Sequence, residues 1–292
     1  MSIWTDFADL DVRQSFYDIG GIRTRVIEGG DPDKEALIFL HGTGGHAEAF
    51  TRNFRAHMPH FRTMSLDMLG HGYTDAPDIE YTFDKLIDHL KAFVDTLGID
   101  KVSLSGESLG AMIAAHFAIR FPDRTRAIVM NTGMLMDRKE EDLVGIRDLL
   151  ERTKKVTGEV TKDAVRSRLA WLMLDPDKSV TDELVDVRYN IYRQPFRAEA
   201  MRRIMFMSAG GLLDADWRKK YSNEEDLRRI RCPVLVLWSD HNPGLKSHNA
   251  KEAMAYIENG KFIVMHDSAH WPQWEETDLF DRIHIDFLKS SE

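Results

Sequence analysis

Short apolar runs recur along the chain, separated by polar turns or by segments with a helical pattern. Apolar runs bounded by Gly, Pro, Asn or Asp are typical of buried strands. The candidate strands cover residues 15–19, 22–28, 36–40, 61–66, 101–105, 126–131, 233–238 and 261–265. The first two lie too close together for a helical crossover, so we expect them to form an antiparallel hairpin at one edge of a sheet.

The segment between the fourth and fifth candidate strands has the pattern of an amphipathic helix. Leu86, Leu90, Phe93 and Leu97 recur at three- and four-residue steps, and Gly98 follows as a helix-ending residue. Alternation of strand and helix favours right-handed crossovers, and therefore a parallel arrangement. The sequence thus predicts an α/β fold with a mostly parallel eight-stranded sheet that is flanked by helices.

From about residue 135 to residue 229 the pattern changes, because apolar runs become helical and charge-rich. No buried-strand pattern returns until Pro233. This segment predicts a helical lid inserted after the sixth strand. A helical subdomain without a gating role is the alternative. The predicted organisation is a core of residues 1–134 and 230–292 with a lid of residues 135–229.

Composition and charge argue against several classes of protein. A content of 43% hydrophobic and 30% charged residues is that of a globular chain, and a net charge of −9 argues against a nucleic-acid partner. The single cysteine, Cys232, excludes an internal disulfide and fits a reducing compartment. No apolar run approaches the roughly 20 residues that span a bilayer, and the acidic N-terminal stretch lacks a signal-peptide core. We therefore expect a cytoplasmic protein without a membrane partner.

The strongest chemical motif is Gly106-Glu107-Ser108-Leu109-Gly110, a G-x-S-x-G pattern directly after a candidate strand and directly before a helical pattern. Such a turn presents a serine hydroxyl at a helix N-terminus, where backbone N–H groups favour developing negative charge. The two glycines are expected because a side chain at either position would collide with neighbouring backbone. Ser108 is therefore the predicted nucleophile.

A nucleophilic serine needs hydrogen-bond donors for the oxyanion that forms. The third candidate strand ends in HGTGG (41–45), where glycines allow backbone N–H groups to turn into a site. We expect the N–H groups of Thr43, Gly44 and Leu109 to form this oxyanion hole. His41 precedes these donors, so it is expected to brace the loop rather than to act as a base.

The general base is expected on the loop after the last strand. His270 lies a few residues beyond that strand and before the terminal helical pattern. His266 competes, but it lies at the end of the strand, too early for the loop to carry it back to Ser108. His270 is therefore the predicted base. The sequence contains no metal-ligand cluster and no dinucleotide or phosphate-binding fingerprint, so neither a metal nor a cofactor is expected.

With these motifs the chain resembles the α/β-hydrolase fold, in the branch of meta-cleavage product hydrolases, which cut C–C bonds in ring-opened aromatic compounds. The resemblance covers nearly the whole chain. It rests on the helical insert and on HGTGGHAEAFTRNF (41–54), DMLGHGYTDAP (67–77), SGESLG (105–110) and AHWPQWEETDLFDRIHIDFL (269–288). It implies a cofactor-independent serine hydrolase of a 2-hydroxy-6-oxo-hexa-2,4-dienoate from aromatic degradation, and a homo-oligomer.

The resemblance also implies two substrate contacts. Trp271, directly after the predicted base, and Arg188, in the helical insert, resemble the substrate-contacting Trp and Arg of that family. A guanidinium fork suits the carboxylate and the dienol oxygen of such an acidic substrate. The alternative for Arg188 is a solvated helix face or a salt bridge to a nearby carboxylate.

The chain departs from the family pattern at two motifs. The family often has a Gly-Asn-Ser elbow and a Gly-Pro-Gly type oxyanion loop, whereas this chain has Glu107 and Thr43-Gly44-Gly45. A carboxylesterase or lactonase with the same triad is therefore the alternative function. A non-catalytic binding protein with the same fold is a third hypothesis.

The third catalytic residue is expected on the loop after the seventh candidate strand. The position at which the fold usually has its acid is occupied here by Asn242, which cannot carry the charge that stabilises an imidazolium. Asp240 is the carboxylate at the tip of that strand and is the predicted acid. Two alternatives remain open: Asn242 orients His270, or the acid follows the sixth strand, where Asn131 and Asp137 lie.

Overall fold

The computed structural model of the protein describes residues 3–136 and 138–291, and its centre is an eight-stranded sheet. In space the strands are ordered β1-β2-β4-β3-β5-β6-β7-β8. β2 pairs antiparallel with β1 and β4, and the other neighbours are parallel. The predicted α/β fold, its strands and its edge hairpin are therefore confirmed. The strands are β1 Val12–Ile19, β2 Ile22–Gly29, β3 Ala36–Leu40, β4 Arg62–Leu66, β5 Val102–Glu107, β6 Thr125–Asn131, β7 Val234–Ser239 and β8 Gly260–Met265.

Burial explains why the central strands could be recognised. Every residue of β3 and of β7 is buried, because helices cover both faces of the sheet. A strand of this kind has a continuous apolar run rather than an alternating one.

Helices and short helical turns account for most of the remaining chain. α3 is typical of how the sequence specifies them: the Thr82 hydroxyl accepts a hydrogen bond from Lys85 N at 3.2 Å, and Gly98 ends the helix with φ +64°. No helix in the described ranges is long and apolar enough to cross a membrane. The α-helices are α1 Ile3–Phe7, α2 Phe54–His57, α3 Phe83–Thr96, α4 Leu109–Arg120, α5 Glu140–Gly158, α6 Lys162–Leu172, α7 Pro176–Ser179, α8 Asp182–Tyr192, α9 Pro195–Met205, α10 Ala215–Tyr221, α11 Ser247–Ala253, α12 Pro272–Glu275 and α13 Thr277–Lys289.

Between β6 and β7 every element that the structure describes is helical, from α5 to α10, as the sequence predicts. The apolar faces of these helices bury side chains such as Leu169, Leu184 and Ile191 in the same core cluster as Leu235 of β7. The division of the chain into a core and a lid stays a prediction.

The topology places the chemistry at one edge of the sheet. The carboxyl ends of parallel strands lie together, so the loops after β3, β5, β7 and β8 converge there. These four loops carry the residues predicted for the oxyanion hole, the nucleophile, the acid and the base.

Candidate active site

Ser108 lies on a strained turn between β5 and α4. Its backbone has φ +54° and ψ −111°, a combination that an L-residue rarely adopts. A Cβ atom at Gly106 would lie 2.1 Å from the carbonyl carbon of Gly110, and one at Gly110 would lie 2.1 Å from Leu40 O. The predicted reason for both glycines is thus confirmed. A hydrogen bond of 2.9 Å from Ser108 N to Asn131 O holds the turn in place.

His270 lies on the loop between β8 and α12, and its backbone is anchored on both sides. His270 N donates to Leu172 O at 2.9 Å, and the Thr132 hydroxyl donates to His270 O at 2.8 Å. Its Nδ1 lies 2.6 Å from Asn242 Oδ1, and its Nε2 lies 3.0 Å from Glu107 Oε1. The imidazole is therefore held between an amide and a carboxylate.

The amide of Asn242 faces Nδ1 of His270 in a defined orientation. Asn242 Nδ2 donates to Leu245 O at 3.3 Å, which leaves Oδ1 as the acceptor for the ring. This residue is buried, with 3% of its surface exposed. It fixes the ring and the Nδ1–H proton, but it supplies no charge to stabilise an imidazolium.

Asp240, the predicted acid, is not placed against His270. Its Oδ2 lies 2.5 Å from Nδ1 of His266 at the protein surface, and this hydrogen bond raises the pKa of His266. The prediction that Asp240 is the catalytic acid is therefore wrong, and the geometry of β7 gives the reason. Asp240 N donates to Met265 O and so continues the ladder of β7, and side chains alternate between the two sides of a strand. Ser239 therefore faces the His270 loop, where its hydroxyl donates to Ala269 O, and Asp240 faces outward.

Of the two other candidates after β6, Asn131 does not contact the His270 ring. Asn131 donates through Nδ2 to Gln273 Oε1 at 2.7 Å. Asp137 lies outside the described residues. The site thus has an amide where the sequence predicted a carboxylate.

Glu107 is a site residue to which sequence reasoning gave no role. It is the last residue of β5, and only 2% of its side chain is exposed. Its Oε2 accepts a hydrogen bond of 2.6 Å from Gly42 N, while its Oε1 lies 3.0 Å from Nε2 of His270. Glu107 thus lies beside the ring nitrogen that Asn242 does not hold. The available sequence signal was its position immediately before the nucleophile.

The predicted oxyanion residues are only partly brought together. Thr43 and Leu109 line the same cavity as Ser108. Gly44 is not among the described residues that line that cavity, and its carbonyl accepts a hydrogen bond of 2.5 Å from the Tyr192 hydroxyl. A Cβ atom there would lie 2.4 Å from Met201 Cε, so this glycine permits close approach of the helical insert.

His41 braces the oxyanion loop, as expected. Its Nδ1 lies 2.8 Å from Gly42 O, and its Nε2 accepts a hydrogen bond from Met68 N at 3.2 Å. Burial lowers the pKa of His41 to about 3, so the ring is neutral. Its two nitrogens are occupied by the backbone, which leaves neither for Ser108.

Arg188 and Trp271 lie together on the cavity wall. The Arg188 guanidinium carbon is 5.4 Å from the centroid of the Trp271 ring, and only 1% of Arg188 is exposed. The alternative of a solvated helix face is therefore wrong. Arg188 Nε and Nη2 have no hydrogen-bond partner among the described residues. A buried guanidinium without partners favours an anion at this position.

The cavity in front of Ser108 combines apolar walls with an excess of positive charge. Besides His270, the charged lining residues in the described part of the chain are one carboxylate and three arginines: Glu107, Arg138, Arg168 and Arg188. Its larger apolar lining residues are Leu109, Met112, Ile146, Leu149, Trp171, Leu172, Leu212, Leu245 and Trp271. Across residues 3–136 and 138–291 no group of His, Cys, Asp or Glu side chains is arranged to hold a metal ion. The arrangement fits a small acidic molecule with an apolar body.

Relatives of known name are similar to the chain over nearly its whole length. It is 29% identical to a 2-hydroxy-6-oxo-2,4-heptadienoate hydrolase of Pseudomonas putida, over 94% of this chain and 95% of the relative. It is 28% identical to a 2-hydroxy-6-oxononadienedioate/2-hydroxy-6-oxononatrienedioate hydrolase of Comamonas testosteroni, over 87% of each chain.

The fold is also found in solved structures. The 2-hydroxy-6-oxo-6-phenylhexa-2,4-dienoate hydrolase of a Rhodococcus strain superposes with a TM-score of 0.81 at 16% identity, covering 96% of this chain and 99% of that one. Residues 35–277 match the family model described as alpha/beta hydrolase fold. The chain belongs to the alpha/beta hydrolase fold family.

Proposed function

We propose that the protein is a serine-dependent hydrolase that cleaves the C5–C6 bond of a 2-hydroxy-6-oxo-hexa-2,4-dienoate, a product of aromatic ring opening. The observation that carries the proposal is Arg188, a buried guanidinium with open donors in the cavity of Ser108 and His270. A neutral ester would leave this cation without a partner. The names of the two relatives support the substrate class, because both contain the 2-hydroxy-6-oxo-dienoate unit.

Arg188 is the group that we assign to the acid end of the substrate. Its open Nε and Nη2 form one edge of the guanidinium, which suits the two oxygens of a carboxylate. The Trp271 ring beside it excludes water and offers a flat apolar surface to the conjugated diene. Together they orient the substrate so that its 6-oxo carbon lies near Ser108.

The first chemical step is the conversion of the dienol into its keto form. The 2-hydroxyl proton passes to water and C5 gains a proton, so a group in the site must donate to carbon. We assign this donation to His270, which lines the cavity beside Ser108 and whose Nδ1 is held by Asn242. After the transfer, His270 takes up the proton of Ser108 as general base.

In the second step Ser108 attacks the 6-oxo carbon and the C5–C6 bond breaks. The N–H groups of Thr43 and Leu109, which line the cavity, stabilise the oxyanion. The electron pair of the broken bond moves through the C3–C4 double bond to the C2 oxygen, giving a dienolate that takes up a proton. Water then hydrolyses the acyl group on Ser108, so that one water is consumed for each bond cleaved.

We infer that Glu107 supplies the negative charge that stabilises the imidazolium, since Asn242 cannot. In a Ser-His-Asp triad that charge lies against Nδ1. Here the only carboxylate that the described structure places on the ring lies against Nε2, next to the nucleophile in sequence. The ring is thus oriented from one nitrogen and stabilised electrostatically from the other.

We also propose that residues 135–229 form a lid. This segment provides eleven of the residues that line the cavity, Arg168 and Arg188 among them. Because it contributes both the apolar walls and the anion-binding cations, its closure would exclude water when the acid substrate binds.

The test is to follow the visible absorbance of a 2-hydroxy-6-oxo-dienoate beside the hydrolysis of neutral aryl and alkyl esters. We expect the wild-type enzyme to bleach the dienoate and the Ser108→Ala variant to leave it coloured. Arg188→Met should lower kcat/KM for the dienoate about 100-fold more than for a neutral ester, because a charge-assisted fork is lost. Arg166→Met is the matched control, since Arg166 pairs with Asp182 outside the cavity.

An unbleached dienoate together with rapid ester hydrolysis would instead establish a carboxylesterase or lactonase. Absence of both activities, with no covalent labelling of Ser108 by a fluorophosphonate, would establish a non-catalytic binding protein.

A further inference from the structure

Thr132 has a strained backbone beside the active site. Among the described residues other than glycine, a positive φ occurs at two, Ser108 with +54° and Thr132 with +47°. Ser108 is the nucleophile, whereas no proposed reaction step involves Thr132. A β-branched residue rarely adopts this conformation, which a glycine would adopt without strain. Such strain is typical of functional sites, so the contacts of Thr132 indicate what its side chain provides.

Thr132 directly follows β6, and both its backbone and its side chain are held by hydrogen bonds. Thr132 N donates to Leu237 O of the neighbouring strand β7 at 2.9 Å. The residue is fully buried, and its hydroxyl donates to His270 O at 2.8 Å. The backbone of Thr132 is therefore fixed by the sheet, and its hydroxyl connects the sheet to the loop that carries the base.

The residues on either side of Thr132 contact the nucleophile. Asn131 O accepts the hydrogen bond of 2.9 Å from Ser108 N. A Cβ atom at Gly133 would lie 2.5 Å from Ser108 O and 2.7 Å from Ser108 Cα, so this glycine packs directly against the backbone of the nucleophile. Residues 131 and 133 therefore hold the backbone of Ser108, while residue 132, between them, holds the backbone of His270.

The other contacts of His270 act differently. Asn242, on the loop after β7, holds Nδ1 of the ring, and Leu172 of α6 accepts the hydrogen bond from the backbone N–H. Glu107 precedes the nucleophile, but it lies beside Nε2, on the ring that exchanges protons during the reaction. Thr132 binds the backbone carbonyl, so its contact persists while the ring gains and loses protons.

We propose that Thr132 is a positioning residue, whose hydroxyl fixes the His270 loop relative to Ser108 and so sets the separation of base and nucleophile. This rests on the part of the proposed function that makes Ser108 the nucleophile and His270 its base. Placement matters because a displacement of about 1 Å can slow catalysis about 100-fold. The strain at Thr132 follows from placing a hydroxyl at a backbone conformation that suits glycine.

The kinetic test removes the hydroxyl and keeps the shape of the side chain, on whichever dienoate or ester the wild-type enzyme hydrolyses. Thr132→Val should lower kcat about 10- to 100-fold and leave KM within about twofold, because the base is displaced while the substrate contacts remain. Thr132→Ser retains the hydroxyl and should keep kcat within about threefold of wild type. Thr132 also lines the cavity, so a direct substrate contact is the alternative. A raised KM with unchanged kcat would establish that alternative and overturn the proposal.

Thr125→Val is the matched control on the same strand. Thr125 is the first residue of β6, and its buried hydroxyl donates to Phe121 O at 3.0 Å, at the end of the strand opposite the active site. This variant should keep the wild-type kcat, and melting temperatures measure the stability that each variant loses. Thr132→Ala is a second variant without the hydroxyl, less strained at positive φ than valine, in case Thr132→Val does not fold. Unchanged kcat in a folded variant without the Thr132 hydroxyl, or an equal loss in Thr125→Val, overturns the proposal.

A labelling measurement shows whether Thr132 acts through His270. The rate at which a fluorophosphonate labels Ser108 is compared in the wild type, Thr132→Val, His270→Ala and the double variant. Thr132→Val should slow labelling about tenfold in the wild-type background and less than about twofold in the His270→Ala background, because a positioning residue has no effect without the base that it positions. Equal slowing in both backgrounds overturns the proposal.

The same measurement separates this proposal from the proposed substrate. The reagent reacts with an activated serine and needs no dienoate, so the comparison of backgrounds holds whether or not a dienoate is cleaved. A wild-type protein that is not labelled overturns the proposal together with the assignment of Ser108 as nucleophile.

Discussion

Two histidines four residues apart, His266 and His270, each face a carboxylate, yet their surroundings differ. The His266–Asp240 pair is at the surface, with 74% and 42% of the side chains exposed. The His270–Glu107 pair is buried, with 13% and 2% exposed, and Asn242 holds the other nitrogen of the ring. A surface pair is screened by water and contributes little, whereas a buried pair acts at low dielectric. Contact with a carboxylate therefore does not by itself identify the reactive histidine. Burial in the cavity distinguishes His270 from His266.

The largest expected effect comes from removing each histidine in turn. His270→Ala should lower kcat on the preferred dienoate by at least about 10³-fold, because it removes the proton carrier of both steps. His266→Ala should stay within about twofold of wild type, as expected for a surface substitution. Steady-state kinetics with matched melting curves measure both, and equal losses would remove the distinction between the two sites.

The next effect concerns the charge beside His270. Glu107→Gln keeps an acceptor oxygen but removes the charge, so we expect kcat to fall about 100-fold.

A second substitution supplies the control for that result. Asn242→Asp restores a carboxylate on the opposite ring nitrogen, so the double variant Glu107→Gln/Asn242→Asp should recover at least about tenfold of the lost rate. A merely structural role for Glu107 would leave the double variant as slow as Glu107→Gln alone.

The smallest effect is expected at Asp240. Its hydrogen bond raises the pKa of His266 above the ordinary value of 6.5, so the pair stabilises the fold at low pH and this stabilisation is lost as pH rises through the raised pKa. In an NMR titration of Asp240→Asn, the pKa of His266 should return toward 6.5. The variant should melt below the wild type at low pH, and this difference in melting temperature should become smaller as pH increases. Turnover should be unaffected. Loss of turnover would restore Asp240 as the catalytic acid.

Features that depend on neighbouring residues alone could be predicted from the sequence. The turn around Ser108 is specified by Gly106 and Gly110, whose close backbone contacts admit no side chain. The strands were recognisable because burial on both faces requires uninterrupted apolar runs. His270 was found because its loop directly follows β8 and precedes α12.

The acid position depended on a tertiary detail. The hydrogen-bond ladder between β7 and β8 continues for one more residue, because Asp240 N donates to Met265 O. The Asp240 side chain therefore points to the side of the strand that faces away from His270. A turn, with a hydrogen bond of 3.4 Å from Asn242 N to Ser239 O, then brings Asn242 back toward the ring. Neither composition nor periodicity predicts the residue at which the hydrogen-bond ladder of a strand ends.

The sequence by itself determined the α/β class, the helical insert and the serine on its elbow, since each follows from local backbone constraints or from burial patterns. Only the tertiary structure decided that Glu107 faces Nε2 of His270 and that Arg168 joins Arg188 in one cavity. Those contacts join residues far apart in the chain, and their chemistry depends on burial, which makes an unpaired guanidinium or a single carboxylate energetically important.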